Sequence, residues 1–121
     1  MTSTRLERVQ RQLLRETSVV LKEEMKDPRI GFVTVTEAQL SPDFRHAKIF
    51  VSILGSRDEQ EETFQVLQKA SGFVRAQIGQ RIRLRYTPEI TFMRDDSIEH
   101  VDRIFRIMNE IKTKESHNNA S

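Results

Sequence analysis

The sequence contains no cysteine and no tryptophan, and only one tyrosine, in 121 residues. Without cysteine it can form no disulfide, no thiolate nucleophile and no cysteine-ligated zinc site. Such a chain suits a reducing compartment, and a cytoplasmic location is the expectation. Apolar runs extend for only a few residues, as at Ile49-Phe50-Val51, whereas a bilayer-spanning helix needs about 20. Arg5, Arg8, Arg11 and Arg15 stand where an apolar signal segment would lie. Three catalytic signatures are also missing: His-Glu-x-x-His, the phosphate-binding Gly-x-x-x-x-Gly-Lys, and the Gly-x-Ser-x-Gly elbow. Neither sign of charge dominates, since the formal net charge is +2.

The distribution of charge says more than its sum. Lys69, Arg75, Arg81, Arg83, Arg85 and Arg94 fall in one stretch with Glu89 as its single acid, and Asp95, Asp96, Glu99 and Asp102 follow. Local polarisation of this kind is the footprint of a nucleic-acid binder, because arginine pairs phosphate bidentately and stacks on bases. A solvated helix face reads the same way. Arg5, Arg8, Arg11 and Arg15 share a helix face and can touch phosphates or pair with Glu7 and Glu16. Arg45, His46 and Lys48 follow a turn that can present them to RNA, although solubility is an equal reason for them. Asp95-Asp96 reads better as the acidic start of a helix than as a metal site. Asp43, His46 and Asp95 form the rival catalytic reading, a hydrolase with His46 as general base. Phe64 and Phe73 are expected in the core; Phe50 and Tyr86 are left open.

Periodicity supplies the elements. Thr4 and Glu7 have capping-box spacing, and Leu6, Val9, Leu13, Val20 and Leu21 continue a helix over residues 4 to about 26, which Asp27-Pro28 ends. Residues 30–40 are rich in β-branched side chains and read as a strand. Ser41-Pro42-Asp43 is turn chemistry. A second strand alternates Ala47, Ile49, Val51 and Ile53 with Lys48, Phe50, Ser52 and Leu54, giving a hairpin. Ser56 and Glu59 open another helix, and Gly72 interrupts its stripe, so a break is expected between Ala70 and Gly72. Val74, Ile78 and Ile82 share one face beyond it. Residues 88–94 read as a third strand. Ile98, Val101, Ile104, Phe105, Met108 and Ile111 stripe a last helix, and residues 113–121 form a polar tail expected to be disordered. The order α-β-β-α-kink-α-β-α implies an α+β domain with helices on a three-stranded sheet. One domain over residues 1–112 fits a chain this short.

Several stretches closely resemble the ribosome-binding factor A family: Asp27-Pro28-Arg29-Ile30-Gly31-Phe32-Val33-Thr34-Val35-Thr36, Leu40-Ser41-Pro42-Asp43, Ala47-Lys48-Ile49-Phe50-Val51-Ser52, Ala70-Ser71-Gly72, Leu84-Arg85-Tyr86-Thr87-Pro88-Glu89-Ile90-Thr91-Phe92 and Asp96-Ser97-Ile98. Their order and spacing over nearly the whole chain carry the likeness. The resemblance implies a type II KH-like fold and non-catalytic binding to the free small (30S) ribosomal subunit. It also implies a role in maturing 16S rRNA near its 5′ end, and support of growth in the cold. No cofactor is implied. Assembly GTPases are candidate partners, and a monomer is expected. KH domains grip RNA with a Gly-x-x-Gly loop, yet among Gly31, Gly55, Gly72 and Gly79 no pair has that spacing. Ala70-Ser71-Gly72 stands in its place. RNA contact is therefore expected from Lys69, Ser71, Arg75, Arg81, Arg83 and Arg85 around the Ala70–Gly72 kink, joined by Arg45, Lys48, Arg8 and Arg15.

Overall fold

A computed structural model describes residues 4–95. The proposed last helix, Asp96 included, and the 113–121 tail lie outside the described residues.

The capping box at Thr4 is closed in both directions, with the Glu7 amide donating to Thr4 Oγ1 at 3.1 Å and the Thr4 amide to Glu7 Oε2 at 3.4 Å. It starts helix α1, Arg5–Glu23, whose buried face is Val9, Leu13, Thr17, Val20 and Leu21. The helix stops short of residue 26 because the chain must already be extended at Asp27 (φ −79°, ψ 121°), which caps a turn of 3-10 helix, Pro28–Phe32. That turn replaces the beginning of the expected first strand. Proline's fixed φ suits a first helical position, and Asp27 Oδ1 accepts from the Arg29 amide at 3.0 Å. The β-branched Ile30 is buried within the turn instead of in a ladder.

Strand β1, Val33–Leu40, and strand β2, His46–Ile53, form the antiparallel hairpin, with a bulge between Val35 and Glu37. Ser56 and Glu59 form a second closed capping box and start α2, Arg57–Lys69. Ala70, at φ −89° and ψ 0°, separates α2 from α3, Ser71–Arg81. The expected break is present, but it falls on Ala70, ahead of the glycine. A Cβ at Gly72 would meet nothing within 4 Å, so no close approach requires that glycine. Ile82 ends α3 in extended backbone and remains buried with Val74 and Ile78. Strand β3, Glu89–Arg94, then pairs in parallel with β2, from His46 opposite Glu89 to Val51 opposite Arg94.

The sheet order is β1-β2-β3. Ala47, Ile49, Val51 and Ile53 of β2, with Ile90 and Phe92 of β3, bury the face on which the helices pack, against Leu13, Val20, Leu67, Val74 and Ile78. Lys48, Thr91 and Met93 occupy the opposite face, exposed. This mixed sheet with a broken helix between its second and third strands is α+β and KH-like, of type II. Phe64 packs against the core as expected. Phe73 does not: Val74 and Ile78 take the inward positions of α3, and Phe73, a residue away around the helix, is 44% exposed.

Candidate nucleic-acid interface

The β2–β3 pairing determines which basic residues meet. The Glu89 amide donates to the Arg45 carbonyl at 2.8 Å, which joins the end of the hairpin turn to the loop between α3 and β3. Arg45 and Arg85 thereby converge on Tyr86. Their guanidinium carbons lie 4.9 and 5.5 Å from its ring centroid, and the tyrosine is 49% exposed. On the kink side, Gly72, Arg75, Ala76, Gly79, Arg85, Tyr86 and Thr87 line a cleft of about 500 Å³. On the hairpin side, a second cleft of about 460 Å³ includes Arg5, Phe44, Arg45, Arg85 and Tyr86 in its lining. Tyr86 and Arg85 belong to both. A continuous surface therefore runs from the α2–α3 break to the tip of the hairpin.

Arg5, Arg45, Arg75 and Arg85 line this surface, and among the described residues none of them is ion-paired with a carboxylate. Arg5 lies over the Phe44 ring at 5.2 Å. Arg75 Nη2 donates to the Thr87 carbonyl at 3.0 Å, a neutral acceptor that leaves the charge uncompensated. Asp43, the acid of the hairpin-side cleft, is engaged locally: its carboxylate accepts from Ser41 Oγ at 2.6 Å and from the Arg45 amide at 3.1 Å. The Ser41 bond, followed by the Arg45 amide, holds the Asp43 carboxyl below its ordinary pKa. Ala70 offers no side-chain cap to α3, so the helix start beside the cleft has no built-in acceptor.

The other predicted residues are placed differently. Arg81 bridges to α1, with Glu24 Oε1 at 3.2 Å and Glu16 Oε2 at 3.5 Å, and its side chain is 26% exposed. These ion pairs give Arg81 a role in joining α3 to α1, and it lines neither cleft. Arg8, Arg15, Lys48, Lys69 and Arg83 are exposed, and Ser71 opens α3 half-buried, but none of them lines either cleft. Sequence reasoning names Arg5 only as one of the helix-face arginines that touch phosphates or pair with acids, leaves Tyr86 open and misses Phe44. Sequence names Arg45, Arg75 and Arg85 as basic candidates, but only the adjacency of Arg85 and Tyr86 signals that an aromatic ring lies among them.

The catalytic trio is not assembled. The Asp95 amide donates to the Val51 carbonyl, five residues along β2 from His46, or about 16 Å at strand rise. Asp95 is 7% exposed, and its carboxylate accepts from Thr36 Oγ1 at 2.8 Å, a role in holding β1 that sequence did not reveal. His46 Nδ1 lies 3.5 Å from Glu89 Oε2. Among the described residues no group of three or more His, Asp or Glu is placed to hold a metal ion, and no helix is long and apolar enough to cross a membrane.

Comparison with known proteins shows the family and the fold. The family model described as ribosome-binding factor A matches residues 5–108. A ribosome-binding factor A from Natranaerobius thermophilus is 47% identical over 115 residues, covering 95% of this chain and 88% of the relative. The solution NMR structure of a Thermotoga maritima protein named as a ribosome binding factor A superposes with a TM-score of 0.68 at 34% identity, over 82% of this chain and 94% of that one. A Thermus thermophilus ribosome binding factor A homology model, fitted into a cryo-EM map of a 30S–RbfA complex, superposes with a TM-score of 0.61 at 25% identity, over 76% of this chain and 93% of that one. The chain belongs to the ribosome-binding factor A family, whose members are non-catalytic.

Proposed function

We propose that this protein binds the free 30S ribosomal subunit through its arginine-lined clefts and favours the maturation of 16S rRNA near its 5′ end, without making or breaking bonds. The carrying observation is the continuous surface around Tyr86, lined by four arginines that form no ion pair with a carboxylate among the described residues. The Thermus relative fitted into a 30S complex supports the choice of subunit. Such a binder acts by differential affinity: docking on one local arrangement of immature rRNA raises its population by the preference for it. Mispaired RNA dissociates more slowly in the cold, so this bias matters most there, which accounts for a role in cold growth. Affinity must fall when the subunit matures, and assembly GTPases are the partners suited to drive release. The protein acts as a cytoplasmic monomer with no cofactor.

Co-sedimentation with free 30S subunits, assembled ribosomes and naked RNA over a salt series tests the reading. Four phosphate contacts to unpaired RNA give a log–log slope of about −2.8 and an affinity loss of about fiftyfold between 50 and 200 mM salt. Free subunits should be retained over assembled ribosomes. Salt-independent binding, or equal binding to both particles, contradicts it.

A further inference from the structure

The geometry points to Tyr86 as a stacking platform for one unpaired nucleobase, a specific base site within the surface that contacts RNA; this rests on the RNA-binding reading above. Tyr86 lies in the linings of both arginine clefts. The residue is 49% exposed with both guanidiniums over its ring, and a base stacks there by taking the place of one of them, which turns to the strand's phosphate. The chemistry on its two sides suits a strand crossing it. Arg75 and Arg85 stand in the kink-side cleft, and Arg5 and Arg45 in the hairpin-side cleft. A backbone passing from one cleft to the other meets cations before and after the tyrosine, and the nucleotide between them sets its base against the ring. A guanidinium over an aromatic ring uses its face, while its N–H donors point outward in its own plane. The guanidinium that stays over the ring can thus brace it and still donate to a phosphate. Stacking accepts any base, because every base has a π face, so this site supplies affinity for single-stranded nucleic acid without a sequence code. Phe32 and Leu54, the other strongly exposed large side chains at a shared location, are linked by the Leu54 amide to the Phe32 carbonyl at 3.0 Å. Among the described residues no cation lies over the Phe32 ring, so this pair does not offer the combination.

The chain has one tyrosine and no tryptophan, so its intrinsic emission reports on this ring alone. The full chain is titrated with an eight-nucleotide single-stranded oligoadenylate, with the same oligonucleotide carrying abasic residues, and with inorganic polyphosphate of matched charge. Stacking predicts that oligoadenylate quenches most of the tyrosine emission at saturation, and that polyphosphate binds without quenching. The abasic strand should bind about tenfold more weakly than the intact one. Tyr86→Ala should lose that tenfold preference with its salt slope unchanged, since no phosphate contact is removed, and Tyr86→Phe should keep it. Thermal melting checks that both variants fold, and the wild-type emission and abasic comparison stand without them. Unquenched binding of oligoadenylate, equal affinity for the abasic strand, or 30S binding indifferent to Tyr86→Ala overturns the platform while the RNA-binding reading survives. Failure of the wild type to bind either RNA or free 30S subunits overturns both.

Discussion

A methyl group added at Gly79 would stand 2.8 Å from Thr87 Oγ1, 3.5 Å from its Cγ2 and 3.7 Å from its Cβ. At Gly79 the molecule uses the missing side chain, because the segment carrying Tyr86 lies directly on α3 there. Alanine gains about 1 kcal/mol over glycine within a helix, whereas overpacking costs about 1–3 kcal/mol. Threonine is stiff at χ1 and cannot easily turn its hydroxyl away. Gly79→Ala is therefore expected to destabilise the protein by about 1 kcal/mol. In a Thr87→Ala background the obstruction is gone, and the same change should become stabilising. Gly72→Ala, with open space around it, should stabilise by up to about 1 kcal/mol on its own. Thermal or urea denaturation of the four members of the cycle, and of the Gly72 variant, measures these signs. A destabilising Gly79→Ala in both backgrounds would show that something other than Thr87 sets the limit.

The elements divide by how local their causes are. Both capping boxes and the alternation of β2 were legible because each is written within a few consecutive residues. The helix break was legible from Ala70-Ser71-Gly72, although the backbone turns at Ala70. The 3-10 turn was not, since Asp27-Pro28 reads as a helix stop and Ile30-Gly31-Phe32-Val33 as the start of a strand; only the side-chain cap reveals a second, tighter helix. That cap makes a pH prediction. The Arg29 guanidinium bonded to Asp27, and then the Arg29 amide, lower the Asp27 pKa from its ordinary value of 3.8. A lowered folded-state value means that the stabilisation is present above 3.8, the unfolded value, and is lost as pH falls through the folded one. Asp27→Asn should thus melt below the wild type at pH 7, and the gap should close as the pH falls below 3.8. A gap of constant size down to acid pH would show that the cap works without its charge.

At the scale of the molecule, the described arginines around the sheet have two destinations, and pairing in space decides which. The charge run after Lys69 was legible as a nucleic-acid footprint. Its sorting was not, because Arg81 meets Glu16 and Glu24 only once α3 packs on α1, and Arg94 meets Glu61 at 2.9 Å only once β3 lies under α2. Likewise Arg45 reaches Tyr86 through the parallel β2–β3 register, which no local pattern encodes. Charge reversal should separate the two groups. Arg75→Glu with Arg85→Glu alters exposed side chains that contact a neutral carbonyl and a ring face, so stability should change by no more than about 1 kcal/mol. The same pair places two acids in the clefts and should abolish binding to free 30S subunits and leave immature 16S rRNA to accumulate in cells. Arg81→Glu should do the reverse. It sets a third carboxylate against Glu16 and Glu24 in a partly buried site, at a cost of about 2 kcal/mol, between the exposed and buried limits for broken ion pairs. At a temperature where the variant remains folded, subunit binding should persist. Co-sedimentation and thermal melting of the two variants, side by side, measure both quantities. Loss of binding by well-folded Arg81→Glu, with the Arg75 and Arg85 double variant still binding, would move the RNA-contacting surface to the α1–α3 side of the molecule.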